Sequence, residues 1–207
     1  MTFGMGGLPG ELLLPLNGDA RRPRLAVLVD WLKDAYQVAL VNAVDEAARA
    51  GGADMLCFAG GILGARRDTG LQRNRLFELV SPDFIDGMVI LTGTLGNEIG
   101  PEQLADFCRR FEPRQMVSVA VELPGMPSVL VDNDVGLRMA LRHLIEVHGH
   151  RTIAFVRGPA ANAEAERRFA IYREILHEHG LAYDDRLVAL GDFQPGSGVA
   201  AVETFYR

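Results

Sequence analysis

Apolar positions along the chain fall into two alternating rhythms. Short continuous runs read as buried strands: RLAVLV (24–29), DMLCF (54–58), IDGMVIL (85–91), QMVSVAV (115–121), TIAFV (152–156) and LVAL (187–190). SVLVD (128–132) is a further extended piece. Between them the apolar residues recur at helical spacing. Asp34 to Ala50 carries Tyr36, Ala39, Leu40, Ala43, Val44 and Ala47 on one side and stops at Gly51-Gly52. A second helix is expected around Leu71 to Val80, and Pro101 suits the first turn of a third, PEQLADFCRRF. Leu137, Ala140, Leu141, Leu144 and Ile145 form another helical stripe; a long helix spans about Ala163 to His179, and a last helical run starts at Val199.

Continuous apolar strands alternating with amphipathic helices predict an α/β protein with a doubly wound parallel sheet, helices covering both faces. Such sheets bind ligands beyond the carboxyl ends of their strands. The loops there, including DWLKDAYQ, TGTLGNE, DNDVG and RGPAANAEAERR, supply Gly, Asp, Asn, Arg and one Tyr. That mixture suits hydrogen bonding and an aromatic platform for a small polar molecule. ELPGMP breaks the rhythm after Gly125. The expected organisation is a Gly/Pro-rich flexible leader (1–23), an N-terminal lobe (24–125), and a crossover with a partial C-terminal lobe (126–207).

Charge narrows the function. With a formal charge of −6 the 207 residues offer no basic footprint for nucleic acid, and the RRPR run at 21–24 reads as a solvated approach to the first strand. Composition (48% hydrophobic, 23% charged) is that of a soluble globular protein, with no apolar run long enough to span a membrane. Cys57 and Cys108, both in apolar surroundings, read as reduced thiols of a cytoplasmic protein.

Candidate chemistry is sparse. HLIEVHGH holds three of the five histidines, yet His143 and His148 are five apart, about 140° around an α-helix, and should diverge. Gly149 then serves as a left-handed helix stop, so the segment reads as a helix–Gly–strand joint and not as a metal site. AGGILG fits neither a dinucleotide fingerprint nor a P-loop, and no G-x-S-x-G elbow occurs. Of Asp132 and Asp134, one is the natural N-cap of the helix that follows. Trp31 and Tyr36 either stack on a ligand or pack against a hinge. No nucleophile, base and oxyanion hole assemble, so the expectation is a non-catalytic binder with no metal and no cofactor.

The stretch SVLVDNDVGLRMALRHLIEVHGHRTIAFVRGP, followed by NAEAERRFAIYREILHEHGL and GDFQPGSGVAAV, resembles the central part of lactose/galactose-repressor effector domains. Those belong to the type I periplasmic-binding-protein superfamily. The resemblance runs from about Arg24 to Arg207 and is most specific between Ser128 and Gly180. It implies that Arg168 matches the family arginine reaching ligand hydroxyls or carboxylates, although Ile171 stands where the R-x-x-G-[YW] pattern has Gly. It places Tyr36 and Gln37 in the first contact loop, Thr92 and Thr94 after the third strand, Asp132 at the lobe crossover, Asn162 near the mouth of the second lobe, and Phe193 in the G-D-F element.

Two departures shape the expectation. Repressors of this family carry a helix-turn-helix ahead of the effector domain, whereas the first strand here begins near Arg24. The family also continues past Val202, so this chain is expected to be a piece of a longer polypeptide or to have a second copy covering its exposed surface. FAGG, DGMVILTGTLGNEIGPE and SVLVDN also resemble N-terminal sensor regions of bacterial signalling proteins with histidine-kinase or GGDEF outputs. The preferred expectation is therefore a cytoplasmic, homodimeric sensor of a sugar-like or other polar metabolite. It would be fused to or paired with an output domain, with no nucleic-acid contact of its own. The alternative is the effector-binding part of a LacI-family transcriptional regulator.

Overall fold

The computed structural model describes residues 21–65, 72–81, 83–112 and 115–206. Residues 1–20 of the expected leader lie outside that range. Two parallel sheets organise the chain. The first has the order β2-β1-β3-β4-β5, built from β1 (Arg24–Val29), β2 (Asp54–Ala59), β3 (Gly87–Ile90), β4 (Gln115–Val119) and β5 (Ser128–Val129). The second pairs β6 (Phe155–Arg157) with β7 (Val188–Leu190). All five pairings are parallel, which bears out the α/β expectation.

β1 lies inside the sheet, between β2 and β3, and its residues are apolar on both sides. Ala26 and Leu28 join a core with Met88, Ile90, Phe77, Leu104 and Phe107. The intervening Val27 and Val29 join a second core with Val41 and Leu91 on the opposite face. Helix α1 (Ala35–Ala50) covers that second face. A helical stretch at 72–79, the one-turn α2 (Thr92–Leu95) and α3 (Pro101–Arg109) cover the first. The sequence pattern predicts only a loop where α2 stands. A separate core joins α4 (Asn133–Arg142) to α5 (Ala163–Glu178) through Leu141, Ile145, Phe169, Tyr172 and Ile175, with Phe155 and Val188 of the second sheet against it. The buried Tyr172 hydroxyl donates to the Ile153 carbonyl (2.9 Å), so its one polar group is satisfied.

Three local expectations are corrected. The TIAFV strand shrinks to Phe155–Arg157 because β7 offers only three residues to pair with. The last helix, α6 (Pro195–Phe205), starts four residues before Val199, since Pro195 at its first turn needs no N–H partner. The RRPR run is not simply solvated: Arg21 pairs with Asp86 (2.9 Å) and Arg22 with Asp54 (3.2 Å) at the amino ends of the strands.

The histidine segment departs most from expectation. Residues His143–Val147 form a π-helical turn that continues α4, with the His148 N–H donating to the His143 carbonyl at 3.3 Å. In a π turn five residues come round roughly once, where an α-helix would leave them far apart. His143 and His148 therefore converge, their Nε2 atoms 3.0 Å apart, instead of diverging. Gly149 follows at φ +69°, the left-handed stop expected there. Among the described residues no group of three or more His, Cys, Asp or Glu is disposed around a common metal position.

Two consequences are measurable. Burial pushes the Cys108 thiol up to about 12, and burial also raises that of the half-buried Cys57. Only Cys57 should react slowly with a thiol reagent in the native protein near neutral pH, and both should react once it is denatured. A native count of two would contradict this. His179 bridges two acceptors, the Glu146 carboxylate at Nε2 (2.8 Å) and the Ile175 carbonyl at Nδ1 (2.8 Å). Only the protonated ring donates to both. The Glu146 bond first, then the Ile175 bond, raises the histidine above its ordinary value. Its stabilisation is therefore present at pH below the unfolded-state value and is lost as pH rises through the higher folded-state value. Denaturant melts should show this slope in the wild type, and His179→Gln should flatten it.

Candidate functional site

The carboxyl ends of both sheets open onto one cavity of about 430 Å3. This volume is within the range of small-molecule sites. β1 delivers Asp30 at its tip; the loop beyond it and the first turn of α1 bring Asp34, Tyr36 and Gln37. The turn after β3 contributes Gly93, Thr94 and Asn97, and Ala120 follows β4 directly. From the other side come Asn162, Glu164 and Arg168 of α5 and its cap, together with Asp192 and Phe193 after β7.

Backbone strain is concentrated here. Ala120 (φ +77°) and Phe193 (φ +63°) are the non-glycine residues in the left-handed region among the described residues, and both line the cavity. Such residues persist where the surroundings hold them, commonly at ligand sites. Phe193 is held by close packing: its ring lies so near Gly158 that a Cβ there would be 2.3 Å from Cζ. The half-exposed ring (48%) thus stands as a wall of the cavity.

Polar groups are arranged in two tiers. On the side of α4 and α5, Asn133 bridges: its Nδ2 donates to Glu164 (2.9 Å), and its Oδ1 accepts from Arg168 (3.2 Å). The Arg168 guanidinium also lies 4.0 Å from Glu164 and near the Phe193 ring (5.7 Å to the centroid). Burial, then the Glu164 charge, holds the Tyr36 hydroxyl above its ordinary value, partly offset by Arg168. On the side of β1 and α1, Asp30 and Gln37 are buried together, 3% and 7% exposed.

Six of the eight sequence-derived positions line the cavity: Tyr36, Gln37, Thr94, Asn162, Arg168 and Phe193. Two do not. Thr92 is fully buried, and its hydroxyl is consumed by the Val119 carbonyl (2.6 Å) and the Ser118 hydroxyl (2.7 Å), tying β3 to β4. Asp132 is the N-cap of α4, its carboxylate accepting from the Val135 N–H at 3.2 Å, and it lies outside this cavity. Asp134 is paired with Arg167, whose hydrogen bond holds that carboxyl below its ordinary value. Trp31 is not part of the lining; the Arg73 guanidinium packs over its ring at 4.3 Å.

Asn162 lines the cavity without a free polar atom. Its Oδ1 accepts from the Ala165 N–H (2.9 Å), capping α5. Its Nδ2 donates to the Gly93 carbonyl (3.2 Å) and to Asn97 (2.8 Å) across the cleft. Asp30, Asn133 and Glu164 do not stand out from sequence alone. Asp30, directly after a buried strand, carries a usable signal; Asn133 and Glu164 matter only because α4 and α5 converge.

Comparison with known proteins agrees with this geometry. The family described as periplasmic binding proteins and the sugar binding domain of the LacI family matches residues 22–207. The transcriptional regulator CelR of Thermobifida fusca is 46% identical over 72 residues, covering 35% of this chain and 21% of that protein. A LacI family regulator from Mycobacterium smegmatis superposes with a TM-score of 0.70 at 28% identity, covering 88% of this chain and 62% of that one. A CelR–cellobiose complex gives 0.67 at 28% identity, covering 89% and 55%. The chain thus spans less than two thirds of these relatives' lengths. The curated relatives are helix-turn-helix regulators, which favours the transcriptional alternative over the kinase or GGDEF sensor preferred from sequence. Taken with the parallel sheets and the cleft at their carboxyl ends, the match over 22–207 establishes that this chain belongs to the LacI-type family of periplasmic-binding-protein-like, sugar-binding domains.

Proposed function

We propose that this chain is the effector-binding part of a LacI-family transcriptional regulator, holding a polar, sugar-like molecule without transforming it. The observation that carries this reading is one cavity lined from the carboxyl ends of both sheets, with two strained residues in its wall. Tyr36 and Phe193 supply aromatic surface, Thr94 and Gln37 hydrogen bonding, and Arg168 a guanidinium already oriented by Asn133 and Glu164. The relatives it resembles are transcriptional regulators, which supports a binder over an enzyme. The structural likeness to CelR in complex with cellobiose supports a carbohydrate as the first class of ligand to try.

Regulation then follows from a population shift. A ligand touching both sides of the cleft favours the closed arrangement by the difference between its affinities for closed and open states. In this reading the DNA-binding output, the pairing of two copies and residence in the cytoplasm are those of the family, and 24–125 and 126–207 act as the two moving lobes. No helix among the described residues is long and apolar enough to cross a membrane.

Calorimetric titration with cellobiose and a panel of neutral mono- and disaccharides should give saturable, one-site binding. Tyr36 and Phe193 are about half exposed, so the double Tyr36→Ala, Phe193→Ala variant should fold. Losing two aromatic contacts, each about 0.5–1.5 kcal/mol, should weaken binding by about fivefold to about 150-fold. Unchanged affinity would count against this cavity.

Asn162 is the latch of this scheme. Asn162→Ser keeps a capping oxygen for α5 but is too short to reach Gly93 and Asn97; Asn162→Ala loses both roles. Asn162→Ala should be less stable than Asn162→Ser by about 1 kcal/mol, the usual worth of an N-cap. Both should show a larger radius of gyration by solution scattering than wild type. Identical scattering from all three proteins would remove the latch.

A further inference from the structure

The cleft is unbalanced in charge. Five carboxylates line it, Asp30, Asp34, Glu98, Glu164 and Asp192, against one guanidinium, Arg168, among the described residues. That guanidinium is already engaged, bonded to Asn133 at 3.2 Å and 4.0 Å from Glu164. Its charge is therefore partly offset by Glu164, with one of its five donors spent on Asn133.

The deep first-lobe end is more one-sided still. Among the described residues the Asp30 carboxylate, 3% exposed, receives only the Gln37 amide, whose Nε2 lies at a long 3.4 and 3.5 Å from its two oxygens. That contact orients the amide with nitrogen toward the carboxylate. The Gln37 Oε1 is left buried with no hydrogen-bond partner among the described residues. A buried acceptor without a donor is costly and calls for one. What converges here is a carboxylate able to accept several hydrogen bonds and a spare amide oxygen, with little to donate in return.

We propose that this end of the cleft selects an amine-bearing, polyhydroxylated ligand, of the amino-sugar type, and disfavours phosphorylated or carboxylated sugars. An ammonium carries three donors and no acceptor, which complements Asp30 and Gln37 Oε1. Its bond to a buried carboxylate is charge-assisted. A phosphate or carboxylate in the same place would set acceptor against acceptor among uncompensated negative charge. The inference rests on the effector-binding reading above and adds the ligand's charge to it.

The test is calorimetry on the whole 207-residue chain at about pH 6.5, below the ordinary amine range. Two matched sets serve as probes. One is glucosamine, glucose and glucose 6-phosphate; the other is the glucosamine disaccharide, cellobiose and cellobionate. Within each set the amine should bind about tenfold or more tighter than the neutral sugar, and the anion weakest. Asp30→Asn should remove most of the amine's advantage while changing neutral-sugar affinity less. If that buried change prevents folding, Glu98→Gln provides the second variant, its side chain being exposed; it should reduce the advantage about two- to threefold. The advantage should also shrink in about 0.5 M salt. An anion that binds as tightly as its neutral partner, an amine with no advantage, or an advantage indifferent to both charge removal and salt overturns the proposal, and leaves the effector reading standing because binding persists. No binding by any of the six probes overturns both.

Discussion

Burial of β1 on both faces is the constraint from which the rest of the architecture follows. Ala26, Val27, Leu28 and Val29 have no exposed surface, and alternate members belong to different cores. A strand covered on both sides can be neighboured only by strands in the same sheet, with helices above and below. β2 lies to one side of it and β3 to the other, so consecutive crossovers leave in opposite directions. The crevice opened by that reversal is where Asp30 emerges, buried at the tip of β1 and bordered by α1 and the turn after β3.

The second side of the cleft rests on different physics. α4 and α5 pack through an aromatic and aliphatic core and are laced on their outer surfaces by Arg138–Glu174, Arg142–Glu178 and Arg167–Asp134 pairs. Exposed pairs of this kind each contribute little, about 0–1 kcal/mol. Here they run along the alignment of α5 with α4, from Arg167 near the start of α5 to Glu178 at its end. That alignment lets one side chain, Asn162, cap its own helix and reach Gly93 and Asn97 across the cleft. The same residue that starts a helix thus joins the two sides, so helix geometry and cleft width are coupled.

The charge pattern of the cavity has a related origin. Asn133 accepts from Arg168 and Glu164 lies 4.0 Å from it, while among the described residues the Asp30 carboxylate and the Gln37 amide have only each other. A residue-by-residue resemblance to the family brings Arg168 forward as the charged ligand contact. Asn133 and the Phe193 ring hold it on the α5 side of the cavity, while the buried Asp30 carboxylate stands on the β1 side.

Much of this was legible in the sequence. Strand order of appearance, the alternation with helices, a cap from the Asp132/Asp134 pair, the Gly149 stop and the placing of six of the eight expected positions around the cavity all follow from periodicity, turn chemistry or motif resemblance, because those signals are local. The illegible parts depend on partners distant in the chain. TIAFV holds strand geometry only where β7 pairs with it. Thr92 is spent on β4, a neighbour that its own loop does not specify. The five-residue spacing of His143 and His148 separates them on an α-helix and unites them on a π turn, and only the backbone hydrogen bonds of the folded chain distinguish the two. By itself, then, the sequence determined the class of fold and the loops that meet at a site, since hydrophobic period acts over a few residues. Which side chains remain free to touch a ligand, and with what net charge, was decided by tertiary structure, because a polar group's availability depends on every partner packing brings within reach.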